Sequence, residues 1–327
     1  MKRILLILVL LFFKKGFSQD PVFTQFYVIP ETINSGFTAN TWDTKAGIIH
    51  RVQWPKLNFS INTQFAYFDK WFEQLNGGLG ISILNHKETH TRYNLTQLNA
   101  NYAYHVKLNE DWDFYPSISV GFGGKDFGFQ NILLEDQINP FNGVISDLTI
   151  DPANLQDNIM YFDFSSSLLF FYKQSWFGLT LKHLNNPNIS LLYQGNVPLS
   201  TFVSVHGRVS LLNQYRFFRG QKDFAFVFNG MKQEEYNRLD LGLDFKQDLF
   251  NFRLLAATNP IRSNPNSHFL TSINAVVGIN WEKFRFGYSY SFNTSQIGRE
   301  GGVYELSISW DSGRSAKNCM GCPKYPK

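Results

Sequence analysis

A regular alternation of apolar and polar side chains is the feature that most constrains what this chain can fold into. In the stretch LNANYAYHVKL, residues 98–108, every second residue is aliphatic or aromatic, and most of the residues between them are polar. After the NED triplet, the alternation resumes with Phe114, Ile118, Val120 and Phe122. Because successive side chains of a strand point to opposite faces, this pattern predicts a β-hairpin with one apolar face. That face must meet either a protein core or lipid.

The same alternation recurs along the chain and predicts about 14 strands. They are expected near residues 44–54, 57–68, 77–88, 93–108, 112–127, 162–173, 175–184, 198–211, 222–233, 234–246, 249–260, 268–281, 283–294 and 301–312. No amphipathic helix is evident between them.

Composition favours lipid over a protein core as the environment of the apolar faces. Aromatic residues make up 17% of the chain, and charged residues make up only 17%, against about 25% in an ordinary soluble domain. No apolar run is long enough for a transmembrane helix, which needs about 18 or more residues. The fold class expected is therefore all-β: a transmembrane antiparallel β-barrel of about 14 strands, with an N-terminal periplasmic segment and a short C-terminal tail.

The lengths of the predicted connections support the barrel. Outer-membrane barrels have short periplasmic turns and longer external loops. Four of the six expected inner connections are tight, whereas those around 69–76 and 213–221 are expected to be longer. Long outer loops are expected at 128–161, 185–197, 259–267 and 295–301. The alternative, a soluble β-sandwich or solenoid, gives no reason for links to alternate in length with strand parity.

The two ends of the chain are expected to lie outside the barrel. Residues 1–18 have a basic start, a short apolar stretch and small residues before Gln19, which is typical of a signal peptide. The domains predicted are the signal peptide at 1–18, a periplasmic or plug-like segment at 19–43, the outer-membrane barrel at 44–312 and a periplasmic tail at 313–327. Residues 19–43 are expected to start on the periplasmic side, where they either plug the lumen or contact secretion machinery.

Net charge gives no reason to expect a nucleic-acid partner. Lys2, Arg3, Lys14 and Lys15 are four of the 30 basic residues, so the chain after residue 18 has 26 basic and 26 acidic residues. The lumen-facing positions are mostly Asn, Ser, Thr, Gln and Gly, which predicts a polar interior with few charges rather than the charged rings of an ion-selective pore.

Signals for catalysis, metals or cofactors are weak, and none of these is expected. Two histidines, His105 and His183, are considered as residues of a barrel-embedded lipase or acyltransferase, but a polar lumen or rim histidine is the favoured interpretation. The motif HKETH at residues 86–90 lacks the H-E-x-x-H spacing of zinc enzymes. Cys319 and Cys322 can form a disulfide in an exported protein, and their place in a tail favours a structural or inert role over redox activity.

Several stretches, taken in order, resemble the PorP/SprF family of outer-membrane proteins associated with type IX secretion in Bacteroidetes. They are QDPVFTQFYVIPETINSGF at the start, RVQWP, LNANYAYHVKL, LLEDQIN, FDFSSSLLFFYKQSWFGLTLKHLNNPN, YSYSFNTSQIGREGG and the CPKY tail. The resemblance spans nearly the whole chain after residue 18.

This resemblance implies a non-enzymatic component that supports secretion or surface attachment of adhesins carrying a C-terminal sorting domain, and gliding motility in gliding species. The partners implied are the outer-membrane lipid bilayer, such an adhesin and other type IX secretion components. The alternative kept open is a pore or transporter for small or hydrophobic solutes. Family-motif positions and outer loops supply the candidate partner-binding residues: Asp20, Pro21, Gln25, Tyr27, Gln53, Trp54, Pro55, Asp136, Gln137, Asn186 and Pro187.

Overall fold

The computed structural model describes residues 19–57, 60–127, 158–192, 195–216, 220–261, 269–294 and 301–313. The signal peptide expected at 1–18, the candidate residues Asp136 and Gln137, and the cysteines Cys319 and Cys322 lie outside the described residues.

Within the described part, the chain forms one antiparallel sheet. Its strands are β1 Thr44–Gln53, β2 Ile61–Phe72, β3 Gly77–Glu88, β4 Asn94–Tyr104, β5 Val106–Lys107, β6 Trp112–Asp126, β7 Asn158–Tyr172, β8 Ser175–Lys182, β9 Phe202–Arg216, β10 Gly220–Gln233, β11 Tyr236–Gln247, β12 Phe250–Thr258, β13 Leu270–Trp281, β14 Phe284–Asn293 and β15 Val303–Asp311. Three short 3-10 turns occur at Pro30–Thr32, Ser35–Phe37 and Glu73–Leu75.

The sheet closes on itself. β1 pairs with β2 on one side and with β15 on the other, from Lys45 opposite Asp311 to Gln53 opposite Val303. The two-residue β5 is separated from β4 only by His105, and both strands pair with β6, so they act as one strand. The result is a closed 14-strand antiparallel barrel with one extra short strand, which confirms the predicted fold class.

The two ends of the barrel differ in the length of their connections. At one end, called the turn end, the connections after β2, β5, β7, β9, β11 and β13 have no more than four residues each. At the other end, called the loop end, the connections after β6, β8, β12 and β14 are the long ones. The longer turn-end connections expected at 69–76 and 213–221 are wrong, because β2 continues to Phe72, β9 continues to Arg216 and both keep their pairing.

The two faces of the wall have opposite character, as the alternation predicts. Large apolar side chains point outward and stay exposed, including Phe122 at 65%, Leu254 at 58% and Leu306 at 65%. The neighbouring inward residues, such as Arg253, Glu305 and Ser307, are buried. An apolar belt around a polar interior is the arrangement of a barrel in lipid. Among the described residues, no helix is long and apolar enough to cross a membrane.

Candidate functional site

Residues 19–43, called here the lumen segment, run through the inside of the barrel from the loop end to the turn end. Asp20 contacts residues at the loop end, and Trp42 contacts residues at the turn end. The segment therefore begins at the loop end, whereas the sequence suggested a start on the periplasmic side, where short turns are found. Its side chains and backbone meet the inward face of the wall at four places.

The first anchor lies at the loop end. Both carboxylate oxygens of Asp20 lie 3.0 Å from His183 Nε2, and Asp163 Oδ1 lies 2.9 Å from His183 Nδ1. Since both ring nitrogens face carboxylates, both must donate, and His183 is held as the imidazolium. Lys182 Nζ lies 3.9 Å from Asp20, and the Asp20 amide donates to Gln233 Oε1.

The charges around Asp20 keep its carboxylate ionised. Burial alone raises the pKa of Asp20, but the charge and hydrogen bond of His183, with the charges of Lys182 and Lys125, outweigh burial. The pKa of Asp20 is therefore held below its ordinary value. At neutral pH this anchor is an ion pair.

The second anchor is the carboxylate of Glu305, a fully buried residue of β15. It accepts hydrogen bonds from the backbone amides of Thr24 at 2.8 Å and Gln25 at 2.9 Å. The side-chain nitrogen Nε2 of Gln25 donates to the backbone carbonyl of Glu305 at 2.9 Å, and Ser307 Oγ donates to Gln25 Oε1 at 2.6 Å. A turn of the segment is thus bound at both backbone and side chain.

Tyr27 lies between the second and third anchors and packs on both sides. Its ring centroid is 5.8 Å from that of Trp176, and the Arg253 guanidinium lies 5.5 Å from the ring.

The third anchor lies in the middle of the barrel and follows the 3-10 turn Pro30–Thr32. The side-chain amide of Asn34 donates to His206 Nε2 at 3.0 Å and to the Leu168 carbonyl at 3.1 Å. Nearer the turn end, Glu31 lies 2.6 Å from Lys45 Nζ, and both side chains are buried. Buried polar groups are costly unless they are paired, so these contacts fix the path of the segment.

The fourth anchor is aromatic and lies at the turn end. The Trp42 ring stacks on Trp71 with centroids 5.2 Å apart, and its edge faces His105. Trp42 Nε1 donates to the Tyr115 hydroxyl at 3.3 Å. The chain then enters β1.

Several of the predicted partner-binding residues therefore contact the wall rather than a surface. Asp20, Gln25 and Tyr27 are engaged as described, and Pro21 lines a small cavity of about 70 Å³ between the segment and the wall. Their role in partner binding stays a prediction.

Other predicted residues lie at the loop end in two separate groups. Gln53, Trp54 and Pro55 form the end of β1 and the turn after it, and Pro55 approaches Gly301. Asn186 and Pro187 lie in the connection after β8, where Asn186 Nδ2 and the Pro187 carbonyl both bond to Leu199. The structure does not bring these two groups together.

A cavity of about 530 Å³ opens at the loop end beside the first group. Its lining is mostly uncharged and polar, with Arg51, Arg238, Trp54 and Tyr236 among it. Arg51 is turned toward Gln53, the Val22 carbonyl and Glu305, and Arg238 Nε donates to Asp240 at 2.8 Å. Since each arginine has a carboxylate partner, the cavity presents a nearly neutral polar surface.

The lumen is more charged than the sequence suggested. Inward-facing ion pairs join Arg208 to Asp223 and Asp244, Arg253 to Asp244, and Arg238 to Asp240. The expectation of few charges is wrong, because these residues occupy alternate positions among Ser, Thr and Asn and are neutralised in pairs. Glu305, His206 and Asp163 were missed as anchors, and a charged or histidine side chain on the inward face of a strand is the signal that points to them.

The two histidines considered for catalysis are held by carboxylates. His105 Nε2 lies 2.8 Å from Asp113, and both nitrogens of His183 are occupied. In this arrangement His183 has no lone pair with which to accept a proton from a hydroxyl. Among the described residues, no three His, Cys, Asp or Glu side chains are grouped to hold a metal.

Comparison with known proteins identifies one family. A family model described as "Type IX secretion system membrane protein PorP/SprF" matches residues 15–310. Comparison with curated proteins finds no match.

Solved structures with a similar fold are bacterial barrels of low sequence identity. The Acinetobacter baumannii outer membrane protein Omp33 is 7% identical, with 83% of this chain and 98% of that chain covered at a TM-score of 0.45. A Pseudomonas aeruginosa FadL homologue is 10% identical, with coverages of 85% and 92% and a TM-score of 0.45. The P. putida toluene transporter TodX is 7% identical, with coverages of 85% and 92% and a TM-score of 0.44.

Proposed function

The chain belongs to the PorP/SprF family of type IX secretion system membrane proteins, and we propose that it is a non-enzymatic docking component of the outer membrane. In this proposal it supports the secretion or surface attachment of adhesins that carry a C-terminal sorting domain, and gliding motility in gliding species. The N-terminal 18 residues direct export, and the tail after residue 312 lies in the periplasm.

The observation that carries the proposal is the occupied lumen. A segment held by Asp20, Gln25 and Asn34 runs through the space through which a solute would diffuse. Each anchor uses buried, charged or hydrogen-bonded groups, whose separation is costly. A barrel filled in this way is better suited to present surfaces to other proteins than to conduct solutes.

The two rims are the surfaces proposed for docking. Long connections on a rigid scaffold commonly carry recognition, and in barrels of this class they face outward. We assign the loop end to the secreted adhesin, with Gln53, Trp54, Pro55, Asn186 and Pro187, together with Asp136 and Gln137 in the connection after β6. The turn end, where the lumen segment joins β1, is assigned to other secretion components.

The test is a comparison of the surface and medium proteomes of strains with and without the gene, with the wild-type gene restored as the control. Loss of one or a few sorting-domain adhesins, with other exported proteins unchanged, would identify a dedicated docking partner. Loss of all sorting-domain cargo would identify a core secretion component. An unchanged proteome would refute the proposal.

A second candidate, a pore for small or hydrophobic solutes, is suggested by the cavity of about 530 Å³ at the loop end. Transport through it would require the lumen segment to move. Uptake of sugars or monoaromatic solutes into liposomes containing the purified protein would support this alternative, particularly if it appeared together with an unchanged proteome.

A further inference from the structure

A small basic cavity lies inside the lumen near the turn end. It is separate from the two rims that are proposed above as docking surfaces. Its volume is about 100 Å³. The lumen segment contributes Tyr27 and Val28, and strands β11 to β14 contribute the rest of the lining, mostly from inward positions, with the outward residues Phe252 and Phe286 at its edge.

Three cations line this cavity, and they differ in how they are neutralised. Arg253 Nε donates to Asp244 at 2.6 Å, whereas Arg285 reaches Asp311 only at 3.7 Å and is partly exposed. Lys246 forms no ion pair with any residue in the described part of the chain. One cation of the three is therefore available to a ligand.

The surrounding wall leaves a net positive charge. The inward charged residues here are Arg208, Lys246, Arg253 and Arg285, and the acids that pair with them are Asp223, Asp244 and Asp311. Four cations against three carboxylates leave an excess of one positive charge. Lys246 is partly buried, and a cation that is partly removed from water without an ion-pair partner would be stabilised by an anion bound beside it.

Two neutral polar groups of the lining also lack partners. The hydroxyl of Tyr27 and the side-chain oxygen of Asn251 are buried, and neither forms a hydrogen bond with the residues that the structure describes. Buried polar atoms are normally hydrogen-bonded, and an exception calls for an explanation. The Tyr27 hydroxyl can donate one hydrogen bond to an oxygen atom in the cavity, whereas Asn251 Oδ1 is an acceptor and can receive one from a ligand hydroxyl such as that of hydrogen phosphate.

The size of the cavity restricts the ligand. A volume of about 100 Å³ equals roughly three water molecules of about 30 Å³ each in the liquid, which suits a group of a few atoms and excludes a folded peptide. Gly278 lines this space, and a Cβ placed there would already be in tight contact, 3.2 Å from the Phe286 carbonyl oxygen and 3.4 Å from Asn251 Nδ2. A larger side chain at this position would therefore occupy the cavity.

From this combination we propose that the cavity beside Lys246, Arg253 and Arg285 binds a phosphate group. Lysine and arginine bind phosphate oxygens through charge-assisted hydrogen bonds. A tetrahedral phosphate offers acceptors in several directions, which matches cations and donors contributed by different strands and by Tyr27. The group is either free phosphate or the phosphate of a lipid headgroup, since both present the same oxygens.

The test is the thermal unfolding of the full-length protein in an uncharged detergent, titrated with sodium phosphate against sodium chloride at equal ionic strength. Wild-type protein is expected to show a saturable, phosphate-specific increase in Tm. Lys246→Gln is expected to weaken the apparent affinity about tenfold, because it removes one charge-assisted hydrogen bond. Gly278→Val keeps every charge and is expected to abolish the shift by filling the cavity.

The matched control is Lys283→Gln, which removes the same charge from an exposed turn residue at the same end. Its phosphate-dependent shift should equal that of the wild type. The proposal is overturned if wild-type protein shows no saturable shift, or if Lys246→Gln and Lys283→Gln respond alike. Because the readout is the phosphate-dependent shift of each variant, a lower Tm of a variant does not obscure the result.

Competition then separates the two sources of phosphate. Displacement of bound phosphate by dihexanoyl phosphatidic acid, but not by dihexanoyl phosphatidylcholine, would identify a lipid headgroup with a terminal phosphate. Binding of inorganic phosphate that neither lipid displaces would identify free phosphate. The binding assay does not depend on secretion, so its outcome is independent of the proteome test.

Discussion

Replacing Glu305 by Ala is expected to release the middle of the lumen segment while the barrel stays folded. The Glu305 carboxylate accepts hydrogen bonds from the amides of Thr24 and Gln25 at 2.8 and 2.9 Å. In the variant, both amides would be left inside the lumen without this acceptor. The strand itself keeps its pairing, because β15 bonds to β1 and β14 through its backbone.

The size of the effect follows from those two contacts. A hydrogen bond to a charged group contributes about 1.5–3 kcal/mol, so the loss of two costs about 3–6 kcal/mol. Since 1.4 kcal/mol corresponds to a factor of about ten, the open population of the segment should increase between about 100-fold and 10,000-fold. The contacts of the Gln25 side chain with Ser289 and Ser307 remain and favour the lower figure.

The assay is hydrogen exchange measured by mass spectrometry on the purified protein. When reclosing is faster than exchange, the exchange rate follows the population of the open state. Peptides covering residues 20–30 should exchange at least about 100-fold faster in Glu305→Ala, while peptides from the strands keep their wild-type rates.

Two variants on the same strand serve as controls. Glu305→Gln retains one oxygen acceptor and should show an intermediate increase. Ser309→Ala alters another buried inward residue whose hydroxyl has no hydrogen-bond partner among the described residues, so its exchange should match the wild type. The reasoning fails if Glu305→Ala behaves like Ser309→Ala, or if the faster exchange spreads evenly over the barrel strands.

Two further predictions concern the ends of the lumen segment. The pKa of Asp20 is lowered from 3.8, so the stabilisation that its carboxylate contributes is complete above that pH and is lost as the pH falls through the lowered value. The difference in exchange protection between the wild type and Asp20→Asn should therefore stay constant from about pH 7 to about pH 5 and shrink only below 3.8. A difference that already disappears near pH 6 would contradict this assignment. At the turn end, a Cβ on Gly78 would overlap the Thr38 carbonyl and lie 2.8 Å from the Ala39 Cβ, so Gly78→Ala should lower the free energy of unfolding by about 1–3 kcal/mol. Gly230→Ala, whose Cβ would lie no closer than 3.8 Å to other atoms, should be nearly neutral in the same denaturation experiment.

Much of the barrel could be predicted from the sequence because the signal is local. The alternation of 98–108 and of most other strands assigns each residue to a face without knowledge of any other strand, although the apolar Phe65 and Tyr67 of β2 are buried against the lumen segment. The predicted 57–68 strand ended too early because Asp69 and Lys70 interrupt the apolar pattern, yet β2 continues to Phe72 by pairing with the glycines at the start of β3. Hydrogen bonding between the backbones of β2 and β3 therefore extends β2, and the alternation of side chains carries no information about this pairing.

The contacts of the lumen segment could not be predicted in the same way. Gln25 and Glu305 are 280 residues apart, and Asp20 and His183 are 163 residues apart. The alternation shows that Glu305 points inward but not that it meets the backbone of Thr24. Residues 19–43 also lack any period, because their conformation is set by the wall around them.

Charge complementarity is the strongest reason to regard the segment as part of the fold. Residues 19–43 contain Asp20, Glu31 and Asp43 and no basic residue. The wall meets the first two with His183, Lys182 and Lys45. Removal of the segment would leave buried Lys45 without its carboxylate, and breaking a buried pair in this way typically costs about 3–5 kcal/mol. Opening of the lumen would therefore separate these buried charges, which strongly disfavours the open state.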